Sequence, residues 1–401
     1  MSRKWRNVAL LTLCEVLAMT LWFSGSAIIP GLRAEMALSD DQAAAMASAV
    51  SVGFVAGTLL SALLTLVDRV RPQYLFMISA LTAAAANFAT FAVDPAGPWM
   101  PVLRFVVGAC MAGVYPVGMV MVSSWTEKDR GLLVGLLVAA LTLGSASPHL
   151  IDVFGGLDWR FTIAASSACA TGAGLLVLLF EPGRPFARAA RFKPAQMLEA
   201  WTDPALRYAN FGYFGHMIEL YAVWAWIALF LASSLALSPG GNEAPQLAKV
   251  LAFTMIGSGA VGSIAGGLLA DRVGRTRLTM ACMSVSGLCC LLAGFVFGMP
   301  IWVLLLLCVI WGISIVADSA QFSASVIELS PPDYIGTMVT TQTCIGFLLT
   351  VGTIHAVPYL VGAFGWSGAF VPLAAGPFLG VLAMAKLRSL PQSAKLAHGR
   401  R

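Results

Sequence analysis

The stretch Gly267-Leu-Leu-Ala-Asp271-Arg272-Val-Gly274-Arg275 lies between two long apolar runs, at about 246 to 270 and 277 to 298. Its Asp-Arg core recurs as Asp68-Arg69, 203 positions earlier, between apolar runs at about 43 to 67 and 73 to 93. Other pairs keep nearly the same displacement. Glu15-Val-Leu-Ala18-Met-Thr-Leu-Trp22 matches Glu219-Leu-Tyr-Ala222-Val-Trp-Ala-Trp226, Asp129-Arg130-Gly131 matches Tyr334-Ile335-Gly336, and Trp159 matches Trp366. Four matches in one order, displaced by 203 to 207 positions, read as two copies of one unit.

Each copy holds six apolar runs. To those above are added about 7 to 32, 99 to 124, 131 to 153 and 160 to 180 in the first copy. The second adds about 208 to 236, 300 to 327, 335 to 360 and 367 to 387. Each is long enough to span a bilayer at roughly 20 residues per crossing. Composition agrees: 59% of the 401 residues are hydrophobic and 11% are charged. Soluble domains average roughly a quarter charged, so a soluble enzyme is excluded. A net charge of +5 without a basic stripe excludes nucleic acid as a partner. The expected fold is an all-α membrane protein of twelve transmembrane helices in two pseudo-symmetric six-helix bundles. The expected divisions are a first bundle over 1–181, a Pro-rich linker over 182–207, a second bundle over 208–390 and a tail over 391–401.

Lys and Arg near span ends are retained on the cytoplasmic side. With the N-terminus inside, 20 of the 24 basic residues fall on that side, among them Arg3, Lys4, Arg6, Lys128, Arg130, Arg188, Arg191, Lys386 and Arg388. Arg33, Arg160 and Lys249 are left for the outer loops, and Arg104 lies within a span. Both termini are therefore expected in the cytoplasm and the chain in the inner membrane, with span 1 an uncleaved signal-anchor. The eight cysteines fall in apolar stretches and read as packing residues.

Gly267 to Arg275 resembles the G-x-L-A-D-R-x-G-R loop signature of the major facilitator superfamily, and the resemblance covers the whole chain. Arg104, Gly108 and Pro116 match three positions of the family's span 4 pattern. Gly135 and Gly144 have the spacing that opens its antiporter signature, whose close is replaced by Pro148-His149. The segments around Glu219 and Asp318 look similar to a bacterial branch of that family, which supplies no substrate. The resemblance implies that spans 1, 4, 7 and 10 line a central cavity. Each carries one ionisable residue well inside its run: Glu15, Arg104, Glu219 and Asp318.

A charge deep in a span is costly and faces the bundle interior, which makes these four the proton-coupling or substrate candidates. Glu15 and Glu219 lie near the bilayer midplane, each on one stripe with the Trp seven residues on. Arg104 falls in the outer third of its span, within reach of the interface by snorkelling. Trp22, Tyr115, His216, Tyr221, Trp226 and Gln321 are expected to line the cavity. His216 and Glu219, at i and i+3, have a metal-ligand spacing but lack a second half-site, so neither metal nor cofactor is expected. At the span ends, Asp68 and Asp271 are expected to face the N-termini of spans 11 and 5, while Arg69, Arg272 and Arg275 pair across the halves as a gate.

These readings describe a secondary active transporter, with no nucleic-acid partner and no cofactor expected, that moves a small organic solute by alternating access with protons as the coupling ion, as a monomer in the lipid bilayer. Three acids against one arginine favour a cationic or neutral amphiphile. The alternatives are an organic-anion transporter using Arg104 and a non-transporting membrane receptor on the same scaffold. No motif of an intramembrane enzyme is present.

Overall fold

The computed structural model describes residues 2–126, 129–155, 158–184, 186, 192–237 and 244–401. Of the basic residues assigned to the inner face, Lys128, Arg188 and Arg191 and the side chain of Arg130 lie outside the described residues. Among the described residues, twelve helices are long and apolar enough to cross a membrane. Spans 1 to 6 are Arg3–Glu35, Asp40–Leu64, Pro72–Ala92, Trp99–Ser123, Gly131–Phe154 and Trp159–Leu179. Spans 7 to 12 are Pro204–Leu235, Pro245–Val273, Arg275–Phe295, Ile301–Leu329, Pro332–Ala369 and Val371–Ser389. Span 11 is interrupted at Gly365 (φ 65°), and Trp366 opens the short helical stretch after that break, which leads into span 12.

Local chemistry sets several boundaries. Ser39 and Gln42 form a reciprocal capping box at the start of span 2. Asp203 accepts from the amides of Ala205 and Leu206, and Pro204 fills the first turn of span 7, where a missing N–H costs nothing. Span 4 breaks between Met111 and Tyr115, just before Pro116, whose ring cannot continue the preceding helix. Span 10 breaks at Asp318, one repeat length after Gly113, between helices Ile301–Ala317 and Ser319–Leu329. Discontinuous helices at matching positions of two repeats are where transporters build their sites.

The two bundles pack alike. Span 1 lies against 5 and 6, 2 against 4, and 3 against 4 and 6; the second copy repeats this as 7 against 11 and 12, 8 against 10, and 9 against 10 and 12. Glycines allow the backbones to approach, as is usual between helices in lipid. A Cβ on Gly57 would lie 2.2 Å from the Ala109 carbonyl oxygen, and one on its repeat counterpart Gly262 would lie 2.2 Å from that of Ile313. The bundles join along two seams, span 5 with 8 and span 2 with 11.

Residues 391–401 are docked rather than trailing. Leu396 is fully buried, the Ala397 amide donates to Glu328 at 3.0 Å, and the Arg401 carbonyl accepts from Thr276 at 3.1 Å. That carbonyl lies so close to Gly274 (φ 93°) that a Cβ there would fall 2.1 Å from it.

Candidate functional site

The two repeat-related glutamates occupy unlike surroundings. Glu219 is buried and accepts from three donors: Trp311 Nε1 at 2.7 Å, Ser286 Oγ at 2.9 Å and Cys290 Sγ at 3.2 Å. All three come from spans 9 and 10, so the carboxylate turns into its own bundle rather than toward the junction of the halves. Cys290 is thus a hydrogen-bond donor and not only a packing residue.

Glu15 is equally buried, yet neither of its oxygens has a hydrogen-bond partner among the described residues. Its Oε2 points at span 4, where a Cβ on Gly118 would lie 2.7 Å away. Tyr115, the first residue of the helix that follows the span 4 break, lies within electrostatic reach of it.

Asp318 sits at the break in span 10 with Oδ1 3.1 Å from His216 Nδ1, a close approach without the alignment of a hydrogen bond. The other ring nitrogen of His216 meets Ser319 Oγ at 3.1 Å, and Tyr213 and Phe322 flank the imidazole. His216 therefore contacts Asp318 directly, while the hydrogen-bond donors to Glu219, one turn away, come from spans 9 and 10. Gln321, whose amide bonds the Asp318 carbonyl, accepts from Arg275 at 2.6 Å.

Arg104 does not snorkel. Its guanidinium is buried in the first bundle and donates to Ser24 Oγ (3.0 Å), Asn87 Oδ1 (2.8 Å) and the carbonyls of Leu21 (2.9 Å) and Trp22 (2.8 Å). Asn87 is in turn held by Ser167 at 2.9 Å. This turns the arginine inward, and Gly25 leaves the space it occupies: a Cβ there would fall 2.7 Å from Nε.

Trp22 and Tyr221 lie where the halves meet. With Phe54 and Phe347 they form an aromatic plug whose ring centroids are 4.6–5.9 Å apart. Trp226 is elsewhere; its Nε1 donates to the Ile354 carbonyl at 2.9 Å, and its ring lines a cavity of about 120 Å³ with Arg33 and Asp40. The plug continues away from the termini in polar contacts between spans 2 and 11: Thr350 to Ser51 (3.1 Å), His355 to Ser48 (3.0 Å) and Tyr359 to Asp41 (3.1 Å). At the same end of the other seam, Lys249 of span 8 meets Asp152 of span 5 at 2.6 Å, both buried. Lys249 is therefore no loop residue. His149, one turn before Asp152, is also buried, with neither ring nitrogen partnered among the described residues.

At the face carrying the termini, Asp271 does meet the start of span 5, its Oδ2 3.5 Å from the Cβ position of Gly131. Arg275 corrects the expected gate. It pairs with Glu328 at 2.5 Å and approaches Asp271 at 3.7 Å, both within its own half, because Gly274 turns the chain back onto the end of span 10. Asp68, Arg69 and Arg272 are exposed.

The sequence profile of the Major Facilitator Superfamily matches residues 11–351, and the chain belongs to this family. Among solved structures, it is similar to a bacterial homologue of the human lysosomal transporter Spinster in an inward-facing, unoccupied conformation. That likeness has a TM-score of 0.71 at 14% identity and covers 100% of this chain and 99% of that one. A mutant of the nucleoside transporter NupG is similar at the same TM-score and identity, over 95% of this chain and 99% of that one. No curated protein sequence matches the chain. Family and fold together define a multi-pass secondary transporter.

Proposed function

We propose that this chain couples the movement of a small cationic or neutral organic solute to protons by alternating access, and that Glu15 is the group that takes up and releases the proton. The observation carrying this reading is the burial of both Glu15 oxygens at the span 1 and span 4 contact, with no hydrogen-bond partner among the described residues. A carboxyl that meets no donor and no cation is a costly place for a charge, and a polar group kept there has a functional role by default. Asp318 and its His216 contact, at the break of span 10, form the second half of the site.

Arg104 argues against the organic-anion alternative: four acceptors already hold its guanidinium, so an anion would have to displace them. The skew of basic residues toward the terminal face supports placing both termini in the cytoplasm and the chain in the inner membrane. The bundle limits 1–181 and 208–390, with the linker 182–207 between them, belong to the same reading. Uptake into proteoliposomes under an imposed pH gradient, screened over cationic, neutral and anionic solutes, tests it. Glu15→Gln is expected to abolish gradient-driven accumulation while leaving solute exchange. Unchanged accumulation in that variant overturns Glu15 as the proton carrier, and absence of flux for every solute favours the receptor reading.

A further inference from the structure

A trough of about 410 Å³ runs along the outside of the second bundle between spans 7 and 12. Its floor is low because glycines meet there: a Cβ on Gly215 would lie 2.4 Å from the Gly376 carbonyl oxygen, and one on Gly380 would lie 3.2 Å from that of Gly212. Tyr208, Phe211 and Phe214 form one wall, with Trp201 against the two phenylalanines; Leu379, Leu382 and Ala383 form the other. Phe211, Leu379 and Leu382 are exposed, so the trough opens to the outside of the bundle, where the bilayer lies.

One end of this apolar trough is basic. The spans are antiparallel, and the pairing of Gly215 with Gly376 and Gly212 with Gly380 fixes their register. Continued toward the terminal face, that register brings Arg207 level with Lys386 to within about one turn. Lys386 is exposed and follows Leu379, Leu382 and Ala383 at i+7, i+4 and i+3, on the same stripe of span 12. The Arg207 guanidinium lies over the Tyr208 ring at 5.6 Å, and its NH1 donates to the Trp201 carbonyl at 3.3 Å. The neighbouring acid, Asp203, has its Oδ1 engaged with the amides of Ala205 and Leu206. From Arg207 to Ile218 the trough is about 16 Å long by helical rise, roughly half of a 30 Å hydrocarbon core and therefore one leaflet deep.

We propose that this trough binds an anionic phospholipid, its acyl chain lying between spans 7 and 12 and its phosphate held by Arg207 and Lys386. The apolar trough suits any acyl chain; the two cations at its mouth select the anionic headgroup. Because Gly215 forms the floor and His216 follows it, the lipid lies directly behind the span 7 residue that contacts Asp318.

Native mass spectrometry of the full chain released from detergent micelles, with phosphatidylglycerol or phosphatidylcholine of matched acyl chains added, tests the proposal. The unaltered chain is expected to retain phosphatidylglycerol over phosphatidylcholine. Arg207→Gln with Lys386→Gln is expected to weaken phosphatidylglycerol retention about thirtyfold, the effect of two basic residues at an anionic surface. Equal retention of the two lipids by the unaltered chain, or full retention by the double variant, overturns the headgroup assignment. Ala383→Phe fills the trough while keeping both cations, and its undiminished retention of phosphatidylglycerol overturns the placement of the acyl chain.

Discussion

Lys249 and Asp152 form an ion pair of 2.6 Å that joins the two bundles at the end away from the termini, and both side chains are buried. Thr162 holds the other Asp152 oxygen at 2.8 Å, so the carboxylate is fixed before the lysine reaches it. Removing one partner of a buried pair strands the other, at a cost of about 3–5 kcal/mol. Asp152→Asn is therefore expected to favour states in which this end has opened. Spin labels at Phe154 and Leu237, in a background without native cysteines, would report a longer distance in that variant. The exchange Asp152→Lys with Lys249→Asp should restore the short one; no change in either variant would show that the pair does not hold the halves together.

Glu219 is held for structural reasons as well as any functional one. Replacing it with Ala orphans the Trp311 donor, at about 1–3 kcal/mol for a buried group left unmade, while Ser286 keeps the Met283 carbonyl as an acceptor; Gln keeps an acceptor for Trp311. The melting temperature of the purified protein should fall clearly for Glu219→Ala and little for Glu219→Gln. Equal losses would mean that the charge, not the acceptor, carries the stability.

Arg104 and Gly25 should behave as one unit. Lys cannot reproduce four bonds from a planar fork, and a methyl on Gly25 meets the guanidinium 2.7 Å from Nε. Both Arg104→Lys and Gly25→Ala are expected to lower the melting temperature, and the double variant to lose less than the sum of the two. Strict additivity would separate them. A change of solute preference from cation to anion in either would instead support a direct role for the arginine in binding.

Gly118→Ala places a carbon 2.7 Å from the Glu15 oxygen and obliges the carboxyl to move. The pH dependence of uptake should shift in this variant and flatten in Glu15→Gln. Gly172→Ala, where an added Cβ meets nothing within 4 Å, serves as the control and should match the unaltered chain. An unmoved profile in Gly118→Ala would detach Glu15 from the coupling step.

The spans and the repeat were legible because both are written along the chain, in uninterrupted apolar runs and in charges placed at their ends. Choosing Glu15, Arg104, Glu219 and Asp318 needed only the rule that ionisable residues inside a span are expensive. What each one faces was not legible. A span apolar on every side has no polar stripe to show which way a side chain turns, so Glu219 was assigned to the junction although its donors lie in spans 9 and 10. For the same reason the sequence leaves Arg104 both a site candidate and within snorkelling reach of the interface, and Asn87, a lone amide in an apolar run, is the signal that its partner lies inside. Lys249 and Asp152 were missed because a charge near a span end reads as a topology mark, and only tertiary packing distinguishes a buried pair from a solvated loop.

The docking of residues 391–401 has a practical consequence. Their contacts are with Thr276, Glu328 and Arg388 and with the backbone of Asp271, all on the second bundle. When the two halves rock, this segment rides on one of them as a rigid handle. A fluorophore attached there, read against a second on the first bundle near Arg3, would follow the swing of whole bodies during transport without sampling the loose motion of a free terminus.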